Sequence, residues 1–427
     1  MELLREYLVV WMEREARELE KLVSERGEPD LVYTDFFSQG IIGSALKMEI
    51  LIAQSDPNPV GLTHQNKPYL PSTSTYQSFQ QSQLFTSRFS KSITKFLWLL
   101  PDIVRLVSGV ESKRHSVMLP KAGSIFYNSP RILHIHPDML FTFPRPLPPN
   151  VRLVGFVQNP INESFPLQGD LEKFISNQNH IFYAAFGSHF YLEGRLLARI
   201  INDFEQLLSS NHSIIFAVNN ATVVQYVRKE LKHYSNIFVI QWVNQKKVLA
   251  HPKVKIFFSH GGLSSLAGNF KLNFFFSLVC SQTGKNKESI LAHKPIVILP
   301  LGAEQLFTAP AAKYQRVAEI YNFYDDKSKD LPSLVHKILS DYPSFVKRCE
   351  NAANLNRAIG GAQRAAEEVE AFISFPSAFA DVEYDMFFVA RYNFDVIAII
   401  VAFSLLIFRI FVSIYSFCCR PKKVKRE

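Results

Sequence analysis

Ser259-His260-Gly261-Gly262-Leu263-Ser264-Ser265 follows the apolar run Val254-Lys255-Ile256-Phe257-Phe258, and this junction decides the fold. The run has the length and composition of a short buried strand. Two glycines break it, and the serine pair can open a helix. A strand that ends at glycines before a helix start is how an α/β fold builds an anion site. Glycine lets the backbone approach a ligand, and the first-turn amides point at negative charge. Alone, the triplet is equally a plain tight turn. Its flanks narrow the choice: Gln241-Trp242-Val243-Asn244-Gln245 and Leu249-Ala250-His251-Pro252-Lys253 lie upstream, Lys294-Pro295 and Pro300-Leu301-Gly302-Ala303-Glu304-Gln305 downstream.

Strands and helices alternate around the junction, as a parallel sheet requires. Ile181 to Phe186 is a buried strand followed by Gly187-Ser188, Leu196 to Leu208 is helical, and Ile214 to Val218 and Ile237 to Ile240 are the next strands. If these strands are parallel, Gly187-Ser188, Trp242 and His260 share the carboxyl edge, where open α/β sheets bind ligands.

The chain's 427 residues suffice for two domains, and a hydrophobic content of 47% with 37 Phe points to membrane contact. Net charge is +9, but the last eight residues contribute five basic side chains against Glu427, or +4 of that total. No basic stripe is interleaved with aromatics, which argues against nucleic acid as a partner. Cys280, Cys349, Cys418 and Cys419 lack metal-ligand spacing, so neither a zinc site nor a disulfide scaffold is expected.

Residues 3 to 25 carry an amphipathic helix pattern, with Leu4, Leu8, Trp11, Leu19 and Leu22 on one side and Glu15 intruding. Gly27-Glu28-Pro29 ends it, and Asp30 to Asp35 reads as a strand closing on a carboxylate. Ser55 to Ser90, rich in Pro, Ser, Thr and Gln, reads as a long surface loop; Ile93 to Val107 reads as an apolar helix interrupted by Pro101. Arg131 to Ile135 is a strand in which His134 and His136 are ordinary residues rather than a metal pair. Phe143 to Asn150 holds four prolines in six residues, which excludes helix and central strand, so the domain boundary is placed at 150.

Taken as an ordered set, these motifs resemble the signature of the UDP-glycosyltransferases, and of the membrane-bound UDP-glucuronosyltransferase-like branch in particular. The family pattern is Trp-x-Pro-Gln, Ala-His-Pro-x-Val, His-Gly-Gly, a Glu eight residues after that His, and a closing Asp-Gln or Glu-Gln. The resemblance implies an α/β chain of GT-B type: a partial acceptor domain over 1–150, a UDP-sugar domain over 151–380, and a transmembrane anchor with basic tail over 381–427. It implies a UDP-sugar donor and a small lipophilic acceptor, with no metal and no cofactor. Trp242, otherwise a core indole, becomes the platform for uracil, and Gln245 a ribose ligand. His260, Gly261, Gly262, Ser188, Ser264 and Ser265 serve the diphosphate, and Glu304 with Gln305, otherwise a surface pair, the sugar hydroxyls. Asp35, which reads equally as a cap for the next helix, matches the Asp that orients a catalytic histidine.

Three departures stand out. Asn244 replaces the usual Pro, which is expected to loosen the turn aiming Trp242 and Gln245. Position 268 is glycine, and the fitting carboxylate comes only at Glu288, so 20 residues, Gly268 to Lys287, read as an insert, expected to be a translated intron. The resemblance places the general-base histidine well before Asp35, yet none of the 34 preceding residues is His. The chain therefore reads as truncated, without a signal peptide, and very weak or no transfer is expected of it. A non-catalytic isoform that binds UDP-sugar or partners a full-length relative, as a homo- or hetero-oligomer, is the alternative.

Val396 to Cys419 holds one charge, Arg409, and is long enough to span a bilayer. The basic residues after it fit a cytoplasmic end, and Lys423-Val424-Lys425-Arg426-Glu427 resembles a dilysine-type retrieval signal of the endoplasmic reticulum. Sequons at Asn162, Asn211 and Asn220 permit lumenal glycosylation.

Overall fold

Two parallel sheets organise the computed structural model, which describes residues 2–35, 38–56, 84–86, 90, 129–137, 140–144, 147–157, 167, 169–187, 194–262, 285–301, 305–323, 330–380 and 394–418. The first sheet contains β1 (Leu31–Asp35), β2 (Leu51–Ser55), β3 (Ile132–His136) and β4 (Val151–Leu153), side by side in that order. With the boundary expected at 150, β4 would open the second unit. It instead pairs with β3, from His134↔Val151 to His136↔Leu153. The chain thus rejoins the sheet it left, and the crossing comes later, at 154–157.

Helices α1 (Glu2–Arg26) and α2 (Gln39–Lys47) pack on this sheet. Leu19 and Val23 of α1 meet Ile42 and Ala45 of α2, as the pattern requires, but Leu22 is 49% exposed. Glu15 has a reason to interrupt the apolar face. Its carboxylate accepts the Gly40 amide at 3.2 Å, and Glu20 accepts the Ser44 hydroxyl at 2.9 Å, so two acids of α1 bond to α2. Burial, reinforced by the charge of Asp35, raises Glu15 from 4.5 to about 7. His134 and His136 are fully buried strand residues, with His136 Nε2 3.9 Å from Asp56. Among the described residues no three His, Cys, Asp or Glu side chains come together as metal ligands.

The second sheet contains β5 (Ile181–Ala185), β6 (Ser213–Ala217), β7 (Ile237–Ile240), β8 (Val254–Ser259), β9 (Ile296–Ile298) and β10 (Ala318–Ile320), ordered β10-β9-β8-β5-β6-β7 and parallel throughout. Alternate residues of β5 face opposite cores, as period-two geometry demands. Phe182 and Ala184 pack with α4 (Gly194–Ser209), α5 (Ala221–Glu230) and α9 (Leu331–Ser340). Ile181, Tyr183 and Ala185 pack with α3 (Asp170–Ser176), α6 (Gln245–Ala250), α8 (Gln305–Tyr314) and α10 (Tyr342–Ile359). Both faces are covered, which explains the near-continuous apolar strands.

The chain then crosses back. Helix α11 (Ala362–Ser374) and the turn Pro376–Phe379 place Phe372 and Phe379 against Ala53, Leu133, Ile135 and Val154 of the first sheet's core. Arg152 of β4 reaches Glu368 at 2.9 Å and lies 4.7 Å from the Phe379 ring centroid. The two crossings run together, with the Phe156 amide donating to Asn356 and the Gly361 amide to Val154 at 2.8 Å.

Helix α12 (Phe394–Cys418) includes a 21-residue stretch, Asp395–Tyr415, long and apolar enough to cross a membrane and unburied by the rest of the chain. The expected helix over 93–107, the loop over 55–90 apart from residues 55–56, 84–86 and 90, and the tail after 418 lie outside the described residues.

Two measurements check these contacts. Folded Glu15 keeps its proton up to about pH 7, whereas the unfolded group loses it near 4.5, so stability falls as pH rises through that window; Glu15→Gln should abolish this dependence in urea melts run at pH 4, 5.5 and 7.5. Phe372→Ala should cost about 3–5 kcal/mol in the same assay, because the emptied site lies in the first sheet's core.

Candidate functional site

Counted within the second sheet, the strands run 3-2-1-4-5-6, with β5 first and β8 fourth. Chain direction across the sheet reverses between β5 and β8, and the segments leaving their carboxyl ends diverge. The crevice this opens is where doubly wound sheets take ligands. Gly187 follows β5 and His260 follows β8, so the histidine singled out by sequence stands in that crevice.

Its surroundings explain the glycines. A methyl group on Gly262 would lie 2.6 Å from His260 Nε2, and one on Gly187 3.0 Å from the same ring, so the imidazole fits between two residues that have no side chain. Gly261 takes φ +93, and a methyl there would come within 2.7 Å of Ile298. The bend is held from both sides: the Gly261 amide donates to Ser259 Oγ at 3.1 Å, and Thr308 Oγ1 donates to the Gly261 carbonyl at 2.9 Å. Thr308 lies one turn along α8 from Gln305, whose carbonyl accepts the Leu301 amide at 2.8 Å. Gln305 is itself buried beside Gly261. His260, Gly261, Gly262 and Gln305 are thus brought together.

A second pairing forms across the insert. Helix α7 (Lys285–Leu291) carries Glu288, and Gln245 Nε2 donates to its carboxylate at 2.7 Å. Tyr183 of β5 approaches the other end of the same amide, its hydroxyl 3.4 Å from Gln245 Oε1. Burial first, then the charge of Glu288, pushes the Tyr183 phenol above its ordinary range, so it stays a donor. Glu288 is thus the carboxylate that Gln245 holds. Asn244 does not loosen this region: its side chain accepts the Lys247 amide and caps α6, which starts at Gln245.

Trp242 follows the edge strand β7 and is 74% exposed, an indole face open to solvent rather than a core residue. Asp35 closes β1, where its carboxylate accepts the Ser38 amide at 3.0 Å and the Ser38 hydroxyl at 3.3 Å. Ser188, Ser264, Ser265 and Glu304 lie outside the described residues.

Residues 124–270 match the family described as UDP-glucoronosyl and UDP-glucosyl transferase. Over that segment the chain is similar to the UDP-glycosyltransferases. It is 26% identical over 212 residues to a UDP-glucuronosyltransferase of Pleuronectes platessa, covering 48% of this chain and 38% of that protein. It is 23% identical over 380 residues to a UDP-glycosyltransferase of Aspergillus ustus, covering 81% and 65%. The chain spans between about two fifths and two thirds of the length of these curated relatives. In fold, the chain is similar to a UDP-glucosyltransferase from Polygonum tinctorium, with a TM-score of 0.58 at 15% identity over 87% of this chain and 82% of that one. The architecture is α/β of the GT-B type.

Sequence alone does not disclose Tyr183 and Thr308, which act through Gln245 and Gly261; only strand alternation and helix spacing hint at them. Gln245→Leu removes the 2.7 Å bond from a carboxylate that is 5% exposed. It should destabilise the chain by about 1–3 kcal/mol in urea unfolding, while Gln245→Glu at pH below 5 should recover part of that loss.

Proposed function

We propose that the second sheet binds a UDP-sugar at the β5–β8 crevice, and that the protein transfers the sugar, with inversion, to the hydroxyl of a small lipophilic acceptor held on the first sheet. The observation that carries this is the Gln245–Glu288 hydrogen bond at 2.7 Å. It restores the family's amide–acid pair despite the residues between Gly268 and Lys287. In this reading the amide and acid meet the ribose hydroxyls, and Trp242 stacks on uracil. His260 and the amides after it take the diphosphate, as a donor-rich strand end does, with Ser188, Ser264 and Ser265 completing that cradle. Glu304 and Gln305 hold the sugar.

The first sheet with α1 and α2 forms a partial acceptor domain, and the second sheet with its helices the donor domain; the crossings at 154–157 and 359–362 divide them. Direct displacement needs the acceptor proton removed as the anomeric bond to UDP breaks. In this reading a base takes the acceptor proton, Asp35 at a strand end of the acceptor side stabilises that base once cationic, and the charge left on the departing UDP oxygen is met by the His260 segment. Helix α12 anchors the protein in a membrane, with the endoplasmic reticulum as its location.

A second reading, binding of UDP-sugar without transfer, draws on Asp35 itself. Its carboxylate bonds both the amide and the hydroxyl of Ser38, the residue that opens α2, which supports a local structural role.

Titration of the detergent-solubilised chain with UDP should quench indole fluorescence. Trp242→Phe should abolish most of the quench, and Glu288→Ala should weaken UDP at least about tenfold, the loss of a bidentate charged contact. Absence of any heat or quenching with UDP overturns the donor site. Product assays with UDP-glucuronate, UDP-glucose and UDP-galactose against phenolic and steroid acceptors then separate transfer from binding alone.

A further inference from the structure

Lys287 is the residue immediately before Glu288, and its side chain is 1% exposed. Burying an ammonium sacrifices hydration worth several kcal/mol, which an apolar side chain of equal length would avoid. Its contacts explain where it is aimed. Nζ donates to the carbonyl of Pro137 at 2.6 Å and lies 5.5 Å from the centroid of the Phe156 ring, within cation–π range. Pro137 is the first residue after β3, at the carboxyl edge of the first sheet, and Phe156 sits on the crossing between the sheets. One buried cation on the helix that carries Glu288 therefore touches both the exit of the first sheet and the connection between the two.

The segment beyond Pro137 is committed to the second sheet. Leu140 and Phe141 belong to the core that contains Tyr183 and Phe257, Phe141 stacks on Phe156 with centroids 6.2 Å apart, and Phe143 packs edge-on against Phe307. Apolar packing of this kind sets an approximate distance but little direction, since it is non-directional. A hydrogen bond from an ammonium to a single carbonyl is directional and short. It converts a general association of the two sheets into a defined placement of the β3 edge over α7.

We infer that Lys287 is a positioning residue, which sets the carboxyl edge of the first sheet at a fixed distance from the Gln245–Glu288 pair and so aligns acceptor with donor. The inference rests on the UDP-sugar transfer proposed above. It assigns a role to the last residue of a stretch that sequence alone reads as an insert. Because Lys287 Nζ bonds the Pro137 carbonyl at the exit of the first sheet, its removal acts on alignment and spares donor affinity. Misplacement of reacting groups by about 1 Å costs on the order of a hundredfold in rate.

The test uses the full chain in detergent with Lys287→Met, which keeps the length and loses the charge, and Lys287→Arg, which restores a charged donor. Lys287→Met should lower kcat about 10- to 100-fold, with KM for the UDP-sugar and the UDP affinity read from Trp242 quenching held within about threefold. Amides of residues 132–137 should exchange with deuterium at least about tenfold faster, while those of β5 and β8 keep their protection. Lys287→Arg should recover a large part of both kcat and protection. Unchanged kcat and exchange in Lys287→Met, or a loss of UDP affinity equal to the loss in kcat, overturns the inference. Should the unmodified chain bind UDP but turn over no donor, the transferase reading fails on its own account, and faster exchange at 132–137 with rescue by Arg still decides whether Lys287 holds the edge.

Discussion

The reversal of strand order between the parallel neighbours β5 and β8 is the constraint on which the rest of the molecule depends. Two adjacent parallel strands whose connections leave toward opposite faces cannot close the space above their ends. Everything at the candidate site answers that gap. Gly187 and Gly262 leave room for an imidazole, Gly261 turns the chain with positive φ, and Thr308 and Ser259 hold the turn from either side. None of these residues carries a formal charge. What the crevice presents is therefore aimed dipoles and an imidazole, arranged before any ligand arrives.

Much of this was legible in the residues themselves. The strands of the second sheet are apolar runs bounded by turn residues, and a sheet covered on both faces leaves such runs little choice. The His-Gly-Gly junction and the indole before Gln245 were readable because each follows a strand end, whereas Glu288 lies on a helix. Glu288 was recoverable despite the intervening stretch, since Ser289, Ile290 and Leu291 continue its helix.

Other features depend on contacts far apart along the chain, which no local pattern encodes. Leu22 satisfies the helical spacing of α1 and is nevertheless exposed, because its neighbour Val23 is the residue turned toward α2, about 100° around the helix. Glu15 breaks the same spacing and is held, because it meets the Gly40 amide 25 residues away. β4 follows a proline-rich run that looks like a border, yet it completes the first sheet, since a loop that bars helix and strand says nothing about where the chain goes next. Lys287 bonds a carbonyl 150 residues upstream. Residue type alone would have put a lysine in water.

The return of α11 to the first sheet also governs how the protein meets a bilayer. Phe379 is packed on that sheet, and the apolar helix begins at Phe394. The connecting residues 381–393 reach at most ~45 Å even when fully drawn out. The last described contact before that helix is thus with the sheet that bears Asp35. Were that helix to cross a bilayer, so short a tether would keep the first sheet close to the lipid surface.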